Sequence, residues 1–428
     1  MNTFISKLRS IGTSSTAINT YLVFAGDMVF TASTFFLTIL LGRGLAVDGL
    51  GVYLVLMTVL VLVNDIFDLG MGSALSHFVP HHVGRKEPHL AWSIIKTAFT
   101  FQLALGLSLS LIVFLFSGAI STILFHTTDY VWHVQITAIC MVLGLLVSLT
   151  GFTLASLEKF KFRAAVTSLP AIVRLGILAV FFFSNTLTLE LAFIITLIGF
   201  IPSLLVGLAA MGKEFHIARP SRASLSTLLS FSKYIGASKA VSALANRLDV
   251  LMLSAFAGPF EAGLYGAASR MMLVYPLIAG SFSSVIAPRF ARLESDVEAV
   301  AFFKRVMLVA LGLVSSVLVL FILAPWVVTI VFPKPEYRQS VEIFRYLLIP
   351  NALFILTLPT VNFIIYRLKK PGIITMTSTT QLVIILIMNA IFIPMLGKFG
   401  PIPGQSIAFL QVLIVSWVIV LKHLKKAK

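Results

Sequence analysis

Four basic side chains stand where basic side chains are costly. Arg174, Lys239, Arg247 and Arg270 each fall inside an otherwise apolar stretch. A charge in hydrocarbon costs at least ~2.5 kcal/mol, so such residues usually face a cavity or a partner and mark function. Guanidinium and ammonium groups suit the neutralisation of an anion, and arginine adds a planar fork that fits phosphate oxygens. Arg174 and Arg247 lie near the middle of their stretches, and Arg270 lies one to two turns from one end. Lys239 is about two turns from an end, where a snorkelling side chain explains it as well as a cavity role does. For the two central arginines the competing explanation is a structural ion pair with Asp249, Asp65 or Asp27.

Carboxylates and amides form a second set. Thr20, Asp27, Thr31, Thr34 and Thr38 recur on one helical face. That face is too polar for lipid and is expected to turn inward. Threonine hydroxyls bonding neighbouring helices are the alternative. Asn64, Asp68 and Gly72 stack at four-residue spacing with Asp65 beside them, and Asn246 and Asp249 flank Arg247. A carboxylate held in a low-dielectric interior can exchange a proton or bind sodium. Asp27 and Asp249 are therefore candidates for ion coupling, with Asn64, Asp65, Asp68 and Asn246 as further cavity polar groups. His81, His82 and His89 share one turn with Glu87 but lack metal-ligand spacing. No GxSxG elbow or Walker-type loop occurs. No catalytic residue, cofactor or metal is expected.

The elements that must position these groups are membrane spans. The chain is 58% hydrophobic and 11% charged, with a mean hydropathy of +1.02. A helix crossing a ~30 Å hydrocarbon core needs about 20 apolar residues. Runs of that length are expected at 17–41, 48–75, 91–116, 132–155, 164–184, 190–211, 232–257, 262–287, 306–332, 343–366, 373–396 and 405–421. They are too long and too uniformly apolar for barrel strands, so the fold class is all-α, a polytopic integral membrane protein of about twelve transmembrane helices. Most of the 32 lysines and arginines fall at the termini and in alternate gaps. Arg43, Lys334, Arg338, Arg345 and Lys398 are the basic residues of the opposite side. Basic loops stay cytoplasmic, which places both termini inside. The formal charge of +16 thus reflects topology and anionic headgroups, and no nucleic-acid signature accompanies it. Residues 1–16 are expected to be a cytoplasmic segment, with Phe4, Ile5, Leu8 and Ile11 on one face of a surface helix. Residues 422–428 form a basic tail. Cys140, the one cysteine, excludes a disulfide within the chain.

An echo at half the chain length organises the spans. Arg43–Tyr53 reads RGLAVDGLGVY and Ala255–Tyr265 reads AFAGPFEAGLY. Gly51 and Tyr53 align with Gly263 and Tyr265 at one constant offset, as structural turns between paired spans. Both hairpins begin on the cytoplasmic side, so the repeat is parallel, with an axis along the membrane normal. Two six-helix lobes around a central cavity are expected, at 17–211 and 232–421, joined by a cytoplasmic linker at 212–231.

Residues 246–293 carry a more specific likeness: Asn246, Asp249, the Gly263-Leu264-Tyr265 turn, Arg270 and Pro288-Arg289. With the GLGVY turn at 49–53 and DLGMGSAL at 68–75, they resemble polysaccharide exporters and O-antigen flippases of the Wzx type. That family belongs to the superfamily of multidrug extruders and lipid-linked peptidoglycan-precursor flippases. The resemblance implies a flippase carrying a polyprenyl-pyrophosphate-linked oligosaccharide across the bacterial cytoplasmic (inner) membrane by alternating access. Arg174, Arg247, Arg270 and Lys239 would then meet the anionic head. Implied partners are the lipid-linked substrate, membrane lipids, a coupling proton or sodium ion, and a polysaccharide polymerase complex. An ion-coupled multidrug antiporter of the same fold is the alternative, and a membrane-embedded glycan polymerase or ligase a third class. The short outer loops count against that last one.

Overall fold

A computed structural model describes residues 15–293 and 295–426. The expected surface helix at 1–16 lies almost wholly outside the described residues, and so do the side chains of the basic tail beyond His423. Helices and turns make up the described chain, with no strand among them. In order these are α1 (Ser15–Gly44), α2 (Val47–Phe67), α3 (Met71–Gly84), α4 (Pro88–Leu115), α5 (Ser117–Phe125), α6 (Val131–Ser156), α7 (Phe160–Phe183) and α8 (Leu189–Met211). There follow α9 (Lys213–Ile217), α10 (Arg222–Ala245), α11 (Leu248–Met271), α12 (Val274–Arg292), α13 (Asp296–Val331), α14 (Gln339–Asn362), α15 (Pro371–Leu396) and α16 (Pro401–Lys426).

Among the described residues, eleven helical stretches are long and apolar enough to cross a membrane. Ten coincide with expected spans. The eleventh, Leu248–Arg292, joins the end of the expected seventh to the whole of the eighth. Its 45 residues are interrupted at Gly258, whose φ of 87° and ψ of 172° are not helical. The start of the expected seventh span belongs to α10, whose RASLSTLLSFSK opening is too polar to qualify alone. The expected second span, 48–75, is likewise two helices. Leu69 and Gly70 take left-handed conformations, with φ of 48° and 76°, and end α2 before α3 begins.

The solvent these helices are built for is hydrocarbon. Along α13, Leu308, Leu318, Ile322 and Ile330 are each more than two-thirds exposed, a row that water would not tolerate. This is a multi-pass membrane protein. Helix contacts are made through small residues, as expected where lipid tails offer no hydrophobic drive.

The chain divides into two compact units. The first comprises Met1–Leu45, Leu56–Ile123 and Thr127–Ala243. In it α1 lies along α7, and α6 packs on α3, α4, α7 and α8. Gly26 brings α1 against Ala164, where an added Cβ would stand 3.0 Å away. The second comprises Ala46–Val55, Leu124–His126 and Leu244–Lys428. Here α14 packs on α11, α12, α13 and α16, and α15 packs on α11 and α16. Phe290, Phe303, Phe363 and Val420 form a buried knot with Trp417 against it. Asp296 fastens that knot by accepting from Arg367 at 2.6 Å, with His423 at 3.3 Å.

Candidate functional site

In the first unit the α2–α3 break collects polar groups. Asp68 is buried, and its Oδ1 accepts from the Gly72 N–H at 3.2 Å. Its Oδ2 pairs with Lys239 Nζ of α10 at 2.8 Å. Gln102 of α4 donates through Nε2 to the carbonyls of Phe67 (3.1 Å) and Asp68 (3.0 Å). Ser232 donates to the carbonyl of Gly70 at 3.2 Å. A Cβ on Gly236 would stand 2.8 Å from the Leu69 backbone, so glycine permits this approach. Lys239 Nζ also lies 5.3 Å from the Phe152 ring centroid. One turn before Asp68, Asn64 fills the space left by Gly144, and Asp65 is beside it, half-buried.

Arg174 is held differently. Its Nε donates to the carbonyl of Pro170 at 2.8 Å, and its stem crosses Gly199, where a Cβ would stand 2.5 Å from Cγ. The guanidinium lies over Phe200, 5.4 Å from the centroid. Pro170 supplies no N–H, which frees the carbonyl of Val166, and Ser203 of α8 donates to that carbonyl at 2.7 Å. A proline and a glycine on facing helices thus set the arginine in place. Among the described residues no carboxylate stands within ion-pairing distance of it.

The threonine face of α1 is largely self-satisfied. Thr31, Thr34 and Thr38 donate to the carbonyls of Asp27, Phe30 and Thr34. Asp27 itself is exposed, 3.9 Å from Arg163. In the last turn of α3, His82 Nδ1 bonds the carboxylate of Glu87, which lies just beyond the helix, at 2.8 Å. That hydrogen bond holds the Glu87 carboxyl below the usual carboxylate range. No group of three metal-ligating residues occurs among the described ones.

In the second unit Asp249, in the first turn of α11, is the centre. Its Oδ2 accepts from Tyr265 Oη at 2.7 Å and from Gln405 Nε2 at 2.7 Å. Gln405 Nε2 also reaches Tyr265 Oη at 2.9 Å, and Asp249 Oδ1 accepts from the Val250 N–H at 2.9 Å. No cationic side chain pairs with this carboxylate among the described residues. Asn246 and Arg247 form the short gap between α10 and α11, with Arg247 as the N-cap of α11. Arg270, in the last turn of that helix, lies within electrostatic range of Arg247 and of Tyr53. Asn389 of α15 is fully buried, and neither its amide nitrogen nor its oxygen has a partner among the described residues.

The two echoed segments were expected as turns but are helical, Gly51 and Tyr53 in α2 and Gly263 and Tyr265 in α11. Glycine here serves close helix approach rather than chain reversal, and the two segments meet. A Cβ on Gly51 would overlap the carbonyl of Pro259, and one on Gly263 would overlap the carbonyl of Val47. Pro259 stands four residues before Gly263, as Val47 stands four before Gly51, so the contacts are reciprocal. Leu54 packs on Gly266, its own equivalent at the same offset. This is the contact pattern of a local two-fold. Tyr53 and Tyr265, near its centre, are both buried.

The structure therefore joins Asp68 to Lys239 in the first unit and Asp249 to Tyr265 in the second. Within the first unit, Arg174 and Asp27 make their contacts elsewhere, with Pro170 and Arg163. Gln102, Gln405 and Asn389 are the additions that charge-based reading missed. Their signal was a neutral amide within an apolar span, where polar residues bond between helices.

A family model described as polysaccharide biosynthesis protein matches residues 19–294. The chain belongs to this family. Its fold is that of the MOP-superfamily transporters. An inward-facing multidrug resistance MATE family transporter superposes with a TM-score of 0.75 at 13% identity, covering 92% of this chain and 95% of that one. The lipid II flippase MurJ, in an inward closed conformation, gives 0.76 at 16% identity, covering 95% and 90%. A MOP-superfamily transporter from Pyrococcus furiosus, described as having a binding pocket of reverse polarity, gives 0.63 at 14% identity, covering 95% and 94%. No curated protein matches the sequence significantly. These three fold relatives are described as transporters and a flippase.

Proposed function

We propose that this polysaccharide biosynthesis family member is a flippase of the bacterial inner membrane, with both termini cytoplasmic. Its substrate would be a polyprenyl-pyrophosphate-linked oligosaccharide, turned from the inner to the outer leaflet by alternating access of two six-helix lobes, 17–211 and 232–421. The observation that carries this reading is Arg174, a guanidinium set in an apolar span by Pro170 and Gly199, with no carboxylate in ion-pairing distance among the described residues. A permanent cation built in at that cost requires an anion, and a diphosphate offers paired oxygens to its fork. Arg247 and Arg270 add positive charge in the second unit, and like charges held near each other favour an anionic guest.

Asp249 is our candidate for the coupling proton or sodium ion, since its partners are neutral donors. Asp27, exposed on α1, is the second candidate. The polysaccharide polymerase would receive the product. A cation antiporter is the reading that Asp249 alone favours, because a carboxylate without a cationic partner also suits a cationic drug.

Cellular glycan export tests the first reading. Arg174→Ala abolishes surface polysaccharide while membrane abundance stays near wild type, and Arg174→Lys is intermediate, because a point charge lacks the planar fork. Normal export by Arg174→Ala sinks the proposed role.

A further inference from the structure

The face of α10 formed by Ser232, Gly236 and Lys239 grips the α2–α3 break, and the grip fixes Asp68 on several sides. Its carbonyl takes the Gln102 amide, its Oδ1 takes the Gly72 N–H, and its Oδ2 takes Lys239. The Lys239 side chain is 35% exposed, against 10% for Asp68. An ammonium has three donors, and the contacts of this one are Asp68 and the Phe152 ring. The cation is therefore the approachable partner, and the carboxylate is the one held by the fold.

We infer that Asp68 is the resident counter-ion of Lys239, and that the diphosphate head of the substrate loads by taking Lys239 from it. The inference rests on the anionic-substrate reading above and adds the exchange. In the empty carrier Asp68 spares the membrane a bare ammonium, which would be costly there. In the loaded carrier the multiply charged head replaces the single carboxylate. Asp68 is then left on the Gly72 N–H at the start of α3, where a helix N-terminus stabilises negative charge. Both states keep their charges compensated, and re-forming the pair helps to expel the head after translocation.

The test uses the purified full chain in detergent, with farnesyl diphosphate as probe and calorimetry as readout. Asp68→Asn keeps an oxygen for the Gly72 N–H and replaces the oxygen that accepts from Lys239 by an NH2, removing the charge and that hydrogen bond together. Asp68→Ser likewise keeps an oxygen and loses the charge, should the asparagine variant fold poorly. Either variant is expected to bind the probe about two- to fivefold tighter, the range set by a partly exposed ion pair, and to turn over more slowly in reconstituted vesicles. Lys239→Gln weakens binding, and adding Asp68→Asn to it restores nothing.

Unchanged or weaker binding by Asp68→Asn, beside normal binding by the wild type, overturns the exchange alone. A gain that persists without Lys239 does so too. A gain seen only when phosphatidylglycerol replaces the probe overturns it by assigning Lys239 to bulk lipid. Absence of probe binding in every form, wild type included, overturns both the exchange and the flippase reading beneath it.

Discussion

Replacing Gly51 or Gly263 by alanine should damage this protein more than any other single methyl group added to its helices. At the crossing of α2 with α11, a Cβ on Gly51 would overlap the Pro259 carbonyl oxygen and stand 2.8 Å from its carbon and 2.9 Å from the Gly263 nitrogen. Real Cβ atoms essentially never approach closer than 3.0 Å. The obstructing atoms are backbone, so no rotamer change relieves them and the helices must part. Overpacking of this kind costs ~1–3 kcal/mol, occasionally more. Alanine's better helix propensity returns roughly 1 kcal/mol, which leaves a net loss of up to about 2 kcal/mol. Gly266→Ala should cost less, because its Cβ meets the Cδ1 end of Leu54, which can turn aside. Gly312→Ala, with nothing within 4 Å, should cost nothing. The Gly51→Ala/Gly263→Ala double variant should lose less than the sum, since one separation accommodates both methyl groups. Thermal unfolding in detergent, read as the fraction remaining monodisperse, ranks the series. If Gly51→Ala and Gly263→Ala are as stable as Gly312→Ala, the reciprocal contact and the repeat built on it are wrong.

Three further outcomes are expected. Reporters fused after Lys86, Arg163, Arg222, Arg292 and Lys370 report cytoplasm, and those after Asp129, Pro259 and Pro335 report the outside; two or more on the wrong side overturn the orientation. Asp249→Asn, tested in vesicles under an imposed proton or sodium gradient, should still bind substrate but respond less to the gradient. A full response by it and by Asp27→Asn removes both as coupling sites. Ser203→Ala, which leaves the Val166 carbonyl facing Pro170 without a donor, should lower thermal stability by about 1–3 kcal/mol and reduce export through the displaced Arg174. Unchanged stability would mean that a water replaces the hydroxyl.

Hydropathy made the spans legible because the bilayer imposes one length and one polarity on every crossing helix. It failed where local backbone geometry decides. The DLG at 68–70 sits inside a long apolar window, and only Gly70's left-handed turn and the Gly72 cap reveal that α2 ends there. The gap expected after residue 257 does fall at Gly258, whereas the break at Asn246 and Arg247 lies inside the expected seventh span, where hydropathy gives no sign of it. Of the candidate site, the charges could be found by their cost in hydrocarbon, but their partners could not. Lys239 and Asp68 are 171 residues apart, and Gln405 is 156 from Asp249. No local pattern links groups so distant in the chain. The Gly51–Gly263 echo was visible as repetition, whereas its meaning as a reciprocal backbone contact required coordinates.

The most direct test of the central claim is translocation of a fluorescent polyprenyl-diphosphate oligosaccharide in vesicles holding only this protein. Quenching by an impermeant reductant reports the leaflet occupied. The account predicts that the wild type moves the labelled lipid to the opposite leaflet, that Arg174→Ala does not, and that the same lipid without its diphosphate is a poor substrate. Movement that ignores both the diphosphate and Arg174, or uptake of a hydrophobic cation in its place, would contradict it.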